Sequence, residues 1–345
     1  MTLKRLLQLS LVMTFCVILL GAYTRLADAG LGCPDWPGCY GQMIVPSNEA
    51  SLARANVLFP ELTVQVDKAW LEMVHRYFAG SLGLLVFAIS ALALVQQKAG
   101  RLLPITITLV VIFQALLGMW TVTMKLMPIV VMGHLLGGFT LFCLLALLYW
   151  RVAENPLKIT QFKVGVGLRM MAMLAFFTVI AQIALGGWTS SNYAALMCTE
   201  LPICQGDWLH YLDIETAFKL IQAPKETYEF GTLDYSARMT IHVVHRIGAM
   251  VTFVVFLMLI FQLLRQRQSQ FRVQALRLAC LLLVQIGLGI SNVLFGLPLS
   301  VAVAHNLVAA LLLLNTLYVN HLIWQANRCL KSVTPSSYGK EAFYE

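Results

Sequence analysis

The sequence predicts an all-α integral membrane protein in which eight transmembrane helices form two pseudo-symmetric four-helix bundles. Of its 345 residues, 59% are hydrophobic and 12% are charged, and the mean hydropathy of +0.77 lies outside the range of soluble globular proteins. Eight apolar runs have about the length that crosses a bilayer: 6–26, 70–95, 102–124, 129–150, 168–189, 237–264, 276–295 and 299–324. An internal repeat divides these runs into two sets of four.

Charge is distributed unequally between alternate loops. The formal net charge is +8, but basic residues concentrate at the termini and in every second loop, whereas acidic residues lie mostly in the other loops. The positive-inside rule then places both termini in the cytoplasm. We interpret the basic balance as membrane topology and not as a nucleic-acid surface, and predict a multi-pass protein of the cell inner (cytoplasmic) membrane, surrounded by lipid. The first run also resembles a cleaved signal, but the repeat matches it to an internal helix, which favours its retention.

The two halves of the chain resemble each other. Matching residues recur at nearly constant separation in the pairs Gly21 and Gly186, His75 and His245, Gln114 and Gln285, Gly118 and Gly289, and His134 and His305. Duplication of a four-helix unit explains this pattern, and an even number of spans gives both copies the same orientation. We predict an N-terminal bundle at 1–151, a cytoplasmic linker at 152–166, a C-terminal bundle at 167–331 and a disordered tail at 332–345.

Two long outer loops, 31–68 and 190–236, interrupt the helical pattern. Both contain partly apolar stretches, at 52–59 and 217–221. These stretches are interpreted either as short helices over the mouth of each bundle or as ordinary loop segments.

Four histidines lie near the outer ends of the second, fourth, sixth and eighth runs: His75, His134, His245 and His305. Within each half, two helices of the same direction place their histidines at similar depth. Such a pair can clamp one flat ligand, as haem sites in helical bundles do, so four histidines predict two sites for haem iron.

A small residue follows each of these histidines by one helical turn, namely Ala79, Gly138, Ala249 and Ala309. A small side chain on the same helix face leaves a slot in which a macrocycle can lie. The alternative is that small residues simply permit close helix packing in lipid. Four in register favour a haem role for the histidines.

The halves differ one turn before the first histidine of each pair, where Glu72 in one half corresponds to His242 in the other. A carboxylate in a poorly hydrated pocket is suited to proton transfer, so Glu72 is the candidate acid–base residue. The alternative is a glutamate that caps the start of its helix. Arg76 and Arg246 are candidate contacts for porphyrin propionates. Alternatively, they extend to the interface or pair with Asp67 or Asp234.

Four cysteines lie in the outer loops, which face an oxidising compartment by the predicted topology. The pairs Cys33 with Cys39 and Cys198 with Cys204 have the same spacing, so a disulfide is expected within each loop. These bonds either brace the loops or take part in thiol exchange.

Together these motifs resemble the haem A synthase family over nearly the whole chain. The residues that carry the resemblance are Gly-Ala-Tyr-Thr-Arg25-Leu, the Cys33 loop, Glu72-x-x-His75-Arg76, Gly133-His134, His245-Arg246 and Ala304-His305-Asn306. The resemblance implies oxidation of the C8 methyl group of haem O to the formyl group of haem A, for terminal oxidases. It further implies substrate haem between His75 and His134, a haem B cofactor between His245 and His305, and an acid–base role for Glu72.

Iron held by two histidines has no open position for dioxygen. Either one ligand of the pair in the first half leaves, or the methyl group is oxidised by electron removal and captured by water. Haem O synthase, an electron donor and a second copy of the chain are candidate partners. The alternative functions are a bis-histidine dihaem cytochrome that only transfers electrons and a transporter with parallel repeats.

Overall fold

The computed structural model describes residues 2–97, 100–153, 164–204 and 208–333, with side chains as far as residue 326. Its α-helices, in chain order, are α1 (Leu3–Leu26), α2 (Glu49–Leu58), α3 (Val66–Gln96), α4 (Leu102–Thr123), α5 (Pro128–Ala153), α6 (Val166–Ser191), α7 (Ile214–Ala217), α8 (Tyr235–Leu264), α9 (Ser269–Leu294) and α10 (Leu299–Val333). All except α2 and α7 are long and apolar enough to cross a membrane. The prediction of an all-α protein with eight spans is confirmed.

Helix contacts close two rings of four. In the first half α1 contacts α3 and α5, and α4 contacts the same two helices; in the second half α6 and α9 each contact α8 and α10. The halves meet where α5 contacts α6 and where α10 contacts α1. One apolar core lies within the first ring, and the other joins the second ring to α5. This arrangement is compatible with the predicted repeat.

The same turn joins the last two helices of each half. Leu126, between α4 and α5, and Leu297, between α9 and α10, both have a φ of 63°. Leucine rarely adopts this left-handed conformation. Its recurrence at equivalent positions shows that the two halves share local geometry that hydropathy alone does not reveal.

The first outer loop contains a helix at the predicted place, and the second contains helical segments that precede the predicted stretch. The first loop forms α2, whose start is capped by the Asn48 side chain, and the second forms a 3₁₀ turn at Trp208–Tyr211 followed by α7. In the second loop the helix ends at Ala217 and does not continue over the predicted stretch 217–221.

The predicted domain boundaries fall largely outside the described residues. Helix α5 ends at Ala153 and α6 begins at Val166, so most of the linker assigned to 152–166 is not described. The tail assigned to 332–345 begins two residues too early, because α10 continues to Val333; the rest of the tail lies outside the described residues. The division into domains stays a prediction.

Candidate functional site

All four predicted histidines line one cavity, with a volume of about 1810 Å³. The cavity extends through both halves, and its wall includes Ala79, Gly138, Ala249 and Ala309, the small residues one turn after the histidines. These residues therefore face open space beside the imidazoles and do not only serve close helix packing.

Each histidine lies against a glycine of the neighbouring helix in its half. A β-carbon built on Gly21, Gly186 or Gly289 would come within 2.9, 3.2 and 3.2 Å of a ring carbon of His75, His245 and His305, respectively. Gly118 faces His134 in the same way, at 3.4 Å. The glycines that mark the repeat thus let each imidazole approach the next helix closely, which positions the ring.

The first pair has the separation that an axial pair requires. The ring centroids of His75 and His134 are 6.5 Å apart, and the ring planes lie at 88°. Two metal–nitrogen bonds of about 2 Å, plus the distance from nitrogen to the centre of each ring, span roughly 6 Å. The buried Nδ1 atoms of both rings have no hydrogen-bond partner.

A bare metal ion is a poorer match than haem. Among the described residues, no three histidine, cysteine, aspartate or glutamate side chains lie close enough together to hold an ion. Two axial imidazoles beside a wide apolar space suit a macrocycle that brings its own equatorial nitrogens.

In the second half, two glutamines contact the histidines. The Gln182 amide nitrogen lies 3.1 Å from Nδ1 of His245 and donates a 3.0 Å hydrogen bond to the backbone carbonyl of the same residue. The Gln285 amide nitrogen lies 3.2 Å from Nε2 of His305. Gln285 belongs to the repeat pattern, but sequence reasoning missed Gln182, a polar residue within an apolar span.

Neither contact has an equivalent in the first half. Val17 corresponds to Gln182, because the two are 165 residues apart, as are the matched glycines Gly21 and Gly186. The amide nitrogen of Gln114, which corresponds to Gln285, is buried without a partner. A β-carbon on Gly137 would lie 1.8 Å from that nitrogen, so the amide rests on the bare backbone of α5. In the second half the residue that corresponds to Gly137 is Val308. Its side chain leaves no room for the Gln285 amide against the helix backbone.

Glu72 is buried on the cavity wall, with a relative exposure of 5%. One carboxylate oxygen accepts a 2.9 Å hydrogen bond from the Cys33 backbone amide, and the other accepts a 2.5 Å hydrogen bond from Arg76. Helix α3 begins at Val66, so Glu72 lies beyond its first turn. The alternative interpretation, a glutamate that caps the helix start, is therefore wrong.

Arg76 and Arg246 both attach an outer loop to a helix. Besides Glu72, Arg76 donates to the backbone carbonyls of Asp35 and Gly38, at 2.9 and 2.5 Å. Arg246 donates to the carbonyls of Cys198 and Glu200. Neither arginine pairs with Asp67 or Asp234, because among the described residues the only ion pairs are Arg25 with Asp28 and Arg76 with Glu72. A propionate role for Arg76 and Arg246 stays a prediction.

Both loops contain the expected disulfide, one between Cys33 and Cys39 and the other between Cys198 and Cys204. Cys33 and Cys39 are fully buried in a small core with Tyr40 and Met73. This burial and the arginine contacts fit the interpretation of the first disulfide as a brace that holds its loop against the bundle.

His242 occupies the place of Glu72 but makes a different contact. Its Nε2 accepts a 3.2 Å hydrogen bond from Nε of Arg246, and its Nδ1 is buried without a partner. The second half thus has no carboxylate at this position, as the sequence comparison predicts.

Comparison with known proteins gives the same result as the geometry. The COX15-CtaA family model, described as cytochrome oxidase assembly protein, matches residues 4–317. The haem A synthase of Shewanella oneidensis is 54% identical over 324 residues, which cover 94% of this chain and 97% of that protein. The haem A synthases of Halalkalibacterium halodurans and Mesorhizobium japonicum are 24% and 27% identical over 88% and 86% of this chain, and the matches cover 91% and 83% of those proteins. The chain belongs to the COX15-CtaA family.

Proposed function

We propose that this protein is a haem A synthase, which oxidises the C8 methyl group of haem O to a formyl group and so supplies haem A to a terminal oxidase. The observation that carries the proposal is the set of four histidines, arranged as two pairs along one cavity. Resemblance to the haem A synthase of Shewanella oneidensis, at 54% identity over most of the chain, supports the choice of substrate.

We assign haem B, the resident cofactor, to His245 and His305, and haem O to His75 and His134. The Gln182 contact at Nδ1 of His245 supports this assignment, because a ligand side chain that is already held in place loses less freedom when it binds. Nδ1 of both histidines in the first pair has no such partner, and among the second pair only Nδ1 of His305 lacks one. A less restrained pair suits a substrate that must enter and leave.

Haem B, when bound, supplies one-electron redox chemistry. The protein's contribution at the methyl group is proton transfer, which we assign to Glu72. This side chain lies on the cavity wall within one helical turn of His75, and it is shielded from bulk water by the loop that contains Cys33. The Cys33 amide and Arg76 hold the two carboxylate oxygens, so the group is oriented before substrate binds.

The oxygen atom of the formyl group comes from water or from dioxygen. In the first case the methyl carbon loses electrons to an external electron acceptor, Glu72 accepts protons from the methyl carbon and the attacking water, and both histidines remain bound. In the second case His75 or His134 leaves its axial position. Turnover in ¹⁸O-labelled water, compared with turnover under ¹⁸O₂, distinguishes the two routes.

We place the protein in the inner membrane of the cell with both termini in the cytoplasm, which puts the disulfide loops on the oxidising side. The charge distribution between alternate loops supports this orientation. The water route requires an electron acceptor and the dioxygen route requires an electron donor. Either one, together with haem O synthase as the source of substrate, is a proposed partner.

Extraction of the pigments from purified full-length protein tests the function. We expect haem B together with haem O, haem A or an alcohol intermediate, separated by chromatography and identified by mass. Haem B alone from a host that makes haem O would indicate an electron-transfer cytochrome, and absence of any haem absorbance would indicate a transporter.

A further inference from the structure

Two arginines from different halves lie near Tyr193, on the wall of the cavity that both histidine pairs line. Three residues line this cavity: Arg25 near the end of α1, Arg238 at the end of the first turn of α8, and Tyr193. A β-carbon built on Gly231 would lie 3.3 Å from NH1 of Arg238 and 3.3 Å from the β-carbon of Tyr193, so these two side chains are neighbours.

Arg25 is held across the boundary between the halves. It donates a 2.8 Å hydrogen bond to the Tyr193 hydroxyl and a 2.9 Å hydrogen bond to the Ser190 carbonyl, and its guanidinium lies 4.2 Å from the centre of the Tyr193 ring. The Tyr193 hydroxyl donates in turn to Asp28, at 3.2 Å. Burial raises the pKa of the Tyr193 phenol, which keeps this donor protonated.

Both arginines retain unused hydrogen-bonding capacity. The Nε atoms of Arg25 and Arg238 are buried without partners. Asp28 lies 3.9 Å from Arg25, but in the part of the chain that the structure describes neither ion pair involves Arg238. A buried guanidinium with an unpaired N–H is costly unless an acceptor, preferably an anion, comes to it.

The positions of the arginines indicate which anion they meet. Arg238 precedes His245 by two helical turns on the same face of α8, a rise of about 10 Å. Arg25 follows Gly21, the glycine that faces His75, by one turn of α1. Each arginine therefore lies toward the loop end of its own histidine site. Arg76 and Arg246 are less available, because their donors are used by Glu72 and by loop carbonyls.

We propose that Arg25 and Arg238 form a carboxylate-binding site between the halves, in which Arg238 receives a propionate of the porphyrin at His245 and Arg25 one of the porphyrin at His75. The inference rests on one part of the proposed function, namely that porphyrins bind at the histidine pairs. By this arrangement both propionate edges point to the boundary at Tyr193, which fixes the rotation of each macrocycle about its axial bonds.

Titration of full-length protein purified without haem tests this site. The probes are iron protoporphyrin IX and its dimethyl ester, which has the same ring and iron but no carboxylates, and the readout is the absorbance band of bis-histidine haem. We expect the wild-type protein to bind the diacid at least about tenfold more tightly than the diester, as charge-assisted hydrogen bonds imply. This preference should fall severalfold in Arg238→Gln and in Arg25→Gln.

Arg265→Gln is the matched control, because Arg265 lies at the far end of α8 and should leave the preference unchanged. Arg238→Lys, which keeps the charge but loses the planar fork, should give an intermediate preference. Arg238→Lys also replaces Arg238→Gln as the test if the glutamine variant does not fold. An unchanged ratio of diacid to diester affinity in Arg238→Gln and Arg25→Gln, or in Arg238→Lys if the glutamine variant is unstable, would overturn the proposal.

The titration involves neither haem O nor turnover, so the two proposals can fail separately. A protein that shows the expected ratios but makes no haem A would support the carboxylate site and contradict the proposed function. A protein that makes haem A without distinguishing diacid from diester would support the proposed function and contradict the carboxylate site.

Discussion

The two halves use the same histidine framework but support it differently. Both place histidines against glycines of the neighbouring helix and attach a disulfide loop through an arginine. The second half adds glutamine contacts to its histidines, and the first half adds a buried carboxylate. The difference suggests that duplication produced two equal sites, of which one became better at holding a haem and the other at acting on it.

The largest expected effect distinguishes the site of haem B, which stays bound, from the site of haem O, which enters and leaves. His245→Ala removes an axial ligand of the site that we assign to haem B, so the purified protein should lose haem B almost completely. His75→Ala should leave haem B in place and abolish retention of haem O and its products. Pigment analysis of both variants measures this. Equal loss of haem B in the two variants would contradict the assignment of the halves.

Glu72→Gln compared with His242→Gln tests where the chemistry occurs. The amide keeps the size of Glu72 and an acceptor for the Cys33 amide, but it cannot take a proton. We expect haem content to be retained and turnover to fall by about 10²–10⁴-fold, the usual contribution of an acid–base group. His242→Gln, at the equivalent position, should change turnover little. Unchanged turnover in Glu72→Gln would remove the proton role.

Gln182→Val copies Val17 of the first half into the second and should weaken the His245 site. Loss of the contact at Nδ1 frees the imidazole, and removal of a group that orients a metal ligand lowers affinity by about tenfold. The haem dissociation rate and the reduction potential measure the change, and Ile183→Val is the control for altered side-chain volume. Wild-type values for both quantities would show that Gln182 does not support His245.

Much of this site could be predicted from the sequence, because the residues that form it recur in a regular pattern. Length and hydropathy predict eight spans, and the repeat aligns the histidines, the glycines and the difference between Glu72 and His242. The Gln182 contact could not be predicted, because it depends on a neighbour in another helix. A β-carbon on Gly248 would lie 2.4 Å from the Gln182 amide oxygen, so only glycine leaves room for this side chain. The corresponding residue in the first half is Phe78.

The hydrogen-bond acceptors of the arginines could not be predicted from the sequence either. Arg76 and Arg246 were predicted as propionate contacts from charge and position alone. Carbonyl groups of a disulfide loop compete for the same donors, and their direction is set by loop conformation and not by residue type. Arg25 is part of the sequence motif, but its contacts with Tyr193 and Ser190 arise only when the halves are packed together.

The smallest expected effect would make the first half resemble the second. In Gly137→Ala the new methyl group occupies the place of the Gln114 amide, 1.8 Å from its nitrogen, and the flexible end of that side chain must turn away from α5. The histidine of α5, His134, lies one turn away, and its unpartnered Nδ1 offers the amide a new contact.

We expect Gly137→Ala to retain haem O about threefold longer, which corresponds to roughly 0.7 kcal/mol and to a single hydrogen bond. Product release should slow with it. Gly133→Ala is the matched control, since both changes favour the helix equally and a methyl group at Gly133 meets only Leu117, at 3.7 Å. Equal haem O retention in the two variants would mean that the position of Gln114 does not explain the weaker hold of the first half, and the cause would then lie in Val17 and Phe78.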